Sequence, residues 1–171
     1  MSAVNRHYAR VAKDTFLDVP FLPSNVNEPI VILPMDRWSR ITEKALAFGL
    51  AMSTDVRCLH VQISEEPDEI CKVWEADVAA PLRAAGKGLP QLVVLKSPYR
   101  YILGPVVDYI LAVEGESDAH NVCVVVPELV VLHWWETLLH NRRADMLKLI
   151  LLMRGNGRIV VINLPWYMER G

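Results

Sequence analysis

The chain is poor in the residues and motifs that mark familiar chemistry. It has three cysteines in 171 residues, Cys58, Cys71 and Cys123, and no Cys-x-x-Cys pair. That argues against a disulfide framework and against a zinc site built on paired cysteines. Cys58 and Cys123 stand in apolar strand patterns, so the cysteines read as reduced thiols in a cytosolic setting. No apolar run approaches the roughly 18 residues of a membrane span. The opening residues, Met-Ser-Ala-Val-Asn-Arg-His-Tyr, hold no apolar secretory segment. The glycine fingerprint of a dinucleotide enzyme is absent, and so is the P-loop. Ser97 is not in a Gly-x-Ser-x-Gly setting, and no catalytic triad can be assembled. A net charge of −2 argues against nucleic acid as a partner. There is no internal repeat and no low-complexity stretch.

What remains is apolar and patterned. Hydrophobic residues make up 52% of a chain long enough for one domain with a core. Residues 1–29 stand apart. Arg6, Arg10 and Lys13 recur at helical spacing, with Val4, Tyr8, Val11 and Thr15 on another face. This predicts a short basic amphipathic helix, either an exposed arm or a segment beside anionic lipid. Asp18 to Pro29 holds three prolines and reads as an extended linker.

Residues 30–171 alternate between strand and helix patterns. Strands are expected at Ile30–Leu33, Val56–Ile63, Gln91–Leu95, Asn121–Val126 and Arg158–Leu164. Helices are expected at Arg37–Met52, from Glu65 to about Pro81, at Tyr99–Val113, and from Leu132 to Met153 with a break near His140. Such alternation predicts an α/β fold with a doubly wound, five-stranded parallel sheet.

In that architecture a ligand binds at the carboxyl ends of the strands. The loop after the first strand offers Asp36 as an N-cap, Arg37 in the first helical turn, and Trp38. The loop after the third strand offers Ser97, Tyr99 and Arg100. The last helix is preceded by His140 and Asn141, with Asn141 as N-cap, and opens with Arg142 and Arg143. A helix N-terminus is electropositive, so first-turn arginines are unfavourable unless an anion sits among them. Trp38, Tyr99 and Tyr101 provide aromatic faces for a base, although Trp38 also begins the buried stripe of its helix. His133, Glu136 and His140 share one helix face; their spacing is not that of a metal site, and they read as polar residues rimming a ligand pocket. No catalytic residue and no metal ligand is assigned. The pairs Gly86–Gly88 and Gly155–Gly157 precede strands and serve as turns at the opposite edge.

These segments resemble a known family. The strand–helix order, with Leu138-Leu139-His140-Asn141 before the last helix and Ile159-Val160-Val161-Ile162 after it, looks like the universal stress protein fold. That resemblance implies strand order 3-2-1-4-5 and an Asp after the first strand, matched by Asp36. Where nucleotide-binding members carry a glycine-rich loop ending in Gly-Ser, this chain has His140-Asn141. A closer resemblance runs through Ser97-Pro98-Tyr99-Arg100, Val126-Pro127-Glu128, His133-Trp134-Trp135-Glu136 and Asn163-Leu164-Pro165-Trp166-Tyr167. Together with Asn5 to Ala12, these are similar to the cytosolic C-terminal domain of bacterial amino acid–polyamine–organocation permeases of the potassium-importer type.

The resemblance implies a regulatory domain on the cytoplasmic face of the inner membrane, attached to the transmembrane part of its transporter. It implies a small-molecule nucleotide as ligand, cyclic di-AMP first, with ATP or AMP as alternatives, and no resident cofactor. It also implies a homodimer formed through the last strand. Two other readings stay open: a ligand-free dimerisation module, and a nucleotide-hydrolysing enzyme using Asp36, Glu128 and the histidines.

Overall fold

The computed structural model describes residues 3–15, 20–23, 26–63, 69–97, 102–116, 118–130 and 142–167, a few by backbone alone, Arg142 and Arg143 among them. The strands are β1 (Ile30–Met35), β2 (Val56–Gln62), β3 (Gln91–Lys96), β4 (Val122–Val130) and β5 (Ile159–Tyr167). All registered pairs are parallel, in the order β3-β2-β1-β4-β5. The five-stranded parallel sheet and its strand order are those expected.

The helices are α1 (Ala3–Thr15), α2 (Arg40–Met52), α3 (Ile70–Trp74, Glu75–Ala79 and Ala80–Ala84 in succession), α4 (Leu103–Glu116) and α5 (Arg142–Arg154). Two apolar layers sandwich the sheet. Ile30 and Ile32 of β1, with Val122, Val124 and Val126 of β4, pack with Ile110 of α4 and Leu147 and Leu151 of α5. The alternate residues Val31, Leu33, Cys123 and Val125 pack with Ala45 and Leu46 of α2 and Trp74 and Val78 of α3. Period-two alternation therefore feeds both faces, which is why the central strands read as continuous β-branched runs.

Several boundaries differ from the expectation, each for a local reason. Helix α2 begins at Arg40, not Arg37, because Ser39 and Thr42 form a capping box: Ser39 N–H donates to Thr42 Oγ1 at 2.7 Å, and Thr42 N–H to Ser39 Oγ at 3.4 Å. Asp36 is therefore not the N-cap, and Arg37 precedes the helix. Helix α4 begins at Leu103, later than Tyr99, with Pro105 in its first turn, where a missing N–H costs nothing. Arg100 falls before that start.

Pro81 neither ends nor sharply breaks α3. The turn before it widens to π geometry over Glu75–Ala79, with Ala80 N–H donating to Glu75 O five residues back. A proline inside a helix has no N–H to give and crowds the preceding turn, and the wider turn accommodates both. Strand β4 runs through Pro127 to Val130, paired in register with β5 as far as Val130↔Tyr167. Its registered pairs with β1 run only from Ile30↔Val122 to Ile32↔Val124. Pro127 thus lies past the part of β4 registered against β1, where a proline is tolerated in a sheet. Residues 127–130, expected as loop, are strand.

Gly86 and Gly157 take φ of +63° and +85°, which turn the chain into β3 and β5 at the amino edge. The linker's last residues are tied to that edge too. Asn27 Nδ2 donates to Ala119 O at 2.9 Å, and Glu28 accepts from Thr54 N and Oγ1 at 3.1 and 2.9 Å. Those two bonds, the backbone one first, hold the Glu28 carboxyl below its ordinary pKa. Arg57 forms a two-pronged pair with Asp55 at 2.9 and 2.8 Å at the same edge, and that pairing favours its charged form.

Candidate functional site

The strand order reverses direction between β1 and β4. The crevice beyond their carboxyl ends is the place where an open parallel sheet receives ligands. Asp36 and Arg37 leave β1 at this edge. Both are exposed, and Arg37 Nε lies 3.6 Å from Asp36 Oδ2. An ion pair so exposed adds little stability, so both side chains are available to other partners. Trp38 is half-buried and meets Trp74 edge-on, with ring centroids 6.0 Å apart and planes at 82°. Its ring packs the segment before α2 against α3.

Ser97 follows β3 and is buried, its N–H donating to Gln62 O at 3.0 Å. Strand β3 is the far edge of the sheet, two strands from the reversal. Tyr99, Arg100, His133, His140 and Asn141 lie outside the described residues. Helix α5 opens at Arg142, so Arg142 and Arg143 are its first two residues, as the pattern predicted. The backbone thus brings two cationic residues to a helix N-terminus beside the carboxyl ends of β4 and β5. Asp145 in the same turn is the acidic residue suited to the helix dipole.

Three further polar residues gather there. Lys148 reaches from the second turn of α5 to within 3.7 Å of Glu128 Oε2 on β4 and 3.4 Å of Asp145 Oδ1. Asn163 Nδ2 of β5 donates to Glu128 Oε2 at 2.9 Å. Lys148 and Glu128 are only 22% and 20% exposed, so this pair is better shielded than Asp36–Arg37. On the other face Lys44 Nζ donates to Pro165 O at 3.1 Å and sits 5.6 Å from the Trp166 ring centroid. Glu128 and Asn163 stand in segments that carry the family resemblance, whereas nothing in motif or spacing singles out Lys148 as a partner of Glu128. One signal was present: Lys148 is the lone charge in the apolar run Met146–Met153.

Two polar groups thus stand at this edge, Asp36 with Arg37 after β1 and Lys148 with Glu128 and Asp145 beside β4. Cations set beside carboxylates suit an anion that carries hydrogen-bond donors. Among the described residues, no three His, Cys, Asp or Glu side chains are grouped to hold a metal ion.

A family profile for the KimA potassium transporter C-terminal domain matches residues 26–166. The chain belongs to that family. It is also similar to the potassium transporter KimA of Bacillus subtilis (strain 168), at 25% identity over 171 residues. That match covers 98% of this chain and 26% of the relative, so the chain spans about a quarter of that transporter's length. The family match begins at residue 26, beside Asn27 and Glu28, where the linker is tied to the sheet. It takes in the whole crevice and leaves α1 outside. Among the described residues no helix is long and apolar enough to cross a membrane.

Proposed function

We propose that this domain regulates a potassium transporter by sensing an adenine nucleotide at the carboxyl edge of its sheet, with cyclic di-AMP as the ligand. One observation carries the reading: helix α5 begins with Arg142-Arg143 beside the strand reversal, in a domain of a potassium-transporter family. Backbone N–H groups and two guanidinium groups at one helix end suit a phosphodiester, and the carboxylates at that edge suit the donors of a purine. A dianion with two purines also matches a two-fold dimer, which edge strand β5 would supply. The domain acts on the cytoplasmic side and catalyses no reaction. Control of transport requires that the ligand bind one arrangement of domain and membrane part more tightly than the other.

Calorimetric titration with cyclic di-AMP, ATP, AMP and cyclic di-GMP tests this. Binding of cyclic di-AMP that Arg142→Ala weakens supports it. Binding of ATP or AMP alone replaces the ligand but keeps the sensor. No binding by any of the four overturns it.

A second reading has its own support. Strand β5 is an edge strand with Val160 48% exposed, and His140-Asn141 replaces the glycines that wrap a phosphate. On that reading the domain is a ligand-free dimerisation module. A stable dimer with no nucleotide affinity would favour it.

A further inference from the structure

Helix α1 takes no part in the site. Val4, Tyr8 and Val11 recur at i, i+4 and i+7 and are 59%, 68% and 43% exposed. Together they form an apolar stripe turned to solvent. Arg10 and Lys13 are exposed as well, and Arg6 falls one turn before Arg10, so the basic residues line the opposite face. A helix of 13 residues is marginal in water unless its apolar face is covered.

Charge narrows what covers it. Residues 1–15 hold Arg6, Arg10 and Lys13 against Asp14, a net +2, while the whole chain carries −2, leaving −4 on the rest. Net positive charge therefore falls on a helix whose apolar stripe is uncovered. Helix α5 also exposes Met146, Leu149, Leu152 and Met153, but it lies inside the family match and away from residues 1–15. Helix α1 also precedes residue 26, where the match to a transporter's C-terminal domain starts. It stands on the side of the chain that leads toward the membrane part of such a transporter.

We propose that α1 is an interfacial helix that lies on an anionic lipid surface. Val4, Tyr8 and Val11 enter the headgroup boundary, and Arg6, Arg10 and Lys13 reach back to lipid phosphates along their apolar stems. The inference rests on the transporter family and not on nucleotide binding, so the two stand or fall separately.

The test is co-sedimentation of the 171-residue chain with phosphatidylcholine vesicles, with and without phosphatidylglycerol. Binding is expected only to the anionic vesicles and declines with salt. Removing each basic residue of α1 weakens it about fivefold. Arg6→Glu with Arg10→Glu therefore lowers it more than tenfold. Tyr8→Asp weakens it by removing the apolar anchor. Lys87→Glu, an exposed site on the body, leaves it unchanged. Equal binding to both vesicle types, no binding, or an equal loss from Lys87→Glu overturns the proposal. So does self-association of the lipid-free chain that Tyr8→Asp abolishes, which would make a second copy the partner.

Discussion

Glu114 and Arg158 hold each other by side chain and backbone in both directions. Glu114 Oε1 accepts from Arg158 N–H at 3.3 Å and from Asn156 N–H at 2.9 Å, while Arg158 Nη2 donates to Glu114 O at 2.9 Å. Glu114 is 1% exposed at the end of α4. The pair fastens the turn that leads from α5 into β5 and so sets where β5 enters the sheet. Glu114→Ala is expected to cost about 1.5–3 kcal/mol, the range for hydrogen bonds to a charged acceptor. Glu114→Gln, which keeps one acceptor oxygen, costs less. Urea unfolding of the three proteins checks the order.

The capping box at α2 separates two residues that look interchangeable in sequence. Ser39→Ala should lower stability by about 1 kcal/mol. Asp36→Ala should change it by less than about 0.5 kcal/mol, since its ion pair with Arg37 is exposed. An equal cost at the two positions would contradict the capping geometry.

Burial pushes the Cys58 thiol up to about 12. The folded chain therefore holds this proton after the unfolded chain has lost it. The associated stability is fully present below about pH 8.5 and is lost as pH rises toward the folded value, by about 1.4 kcal/mol per pH unit. Cys123 is shifted the same way by the same cause. Unfolding midpoints should fall steeply above about pH 9 in the native protein and less steeply in Cys58→Ala. At neutral pH a thiol reagent should reach Cys71, which is exposed, well before the two buried cysteines.

Lys148 and Glu128 test the crevice. Lys148→Ala should change stability by no more than about 1 kcal/mol, because the pair is still partly wet. If the crevice takes a nucleotide anion, the same variant should weaken binding about tenfold or more. Glu128→Gln, which removes one of the two carboxylates beside Lys148, should tighten it. Calorimetry on both variants reads the two effects, and opposite signs are the signature of an anion site.

Much of the fold was legible because each strand is a β-branched run between turn residues. Val122–Val126 and Ile159–Ile162 can hardly be anything else. The helices were legible from their apolar period, and α5 from the polar residues before it. Boundaries were less so. A capping box competes with an equally plausible aspartate three residues earlier, and the choice depends on where Trp38 packs. Pro81 and Pro127 looked like stops, yet a widened turn and a stretch of β4 beyond its registered pairs with β1 absorb them.

The residues at the carboxyl edge were assigned from loop order and first-turn arginines; Asp36 and Arg37 do leave β1 at that edge, but Arg37 precedes α2 and does not open it. Composition and periodicity by themselves determined the class of fold, the absence of glycine-rich phosphate motifs and the basic character of residues 1–15. Only the tertiary structure decided which charges meet. Lys148 and Glu128 are twenty positions apart in the chain, and Asn163 lies further on. No periodicity links them. They meet because parallel pairing brings β4 and β5 into register and α5 folds back across both, so that their distance is set by the sheet and not by the chain.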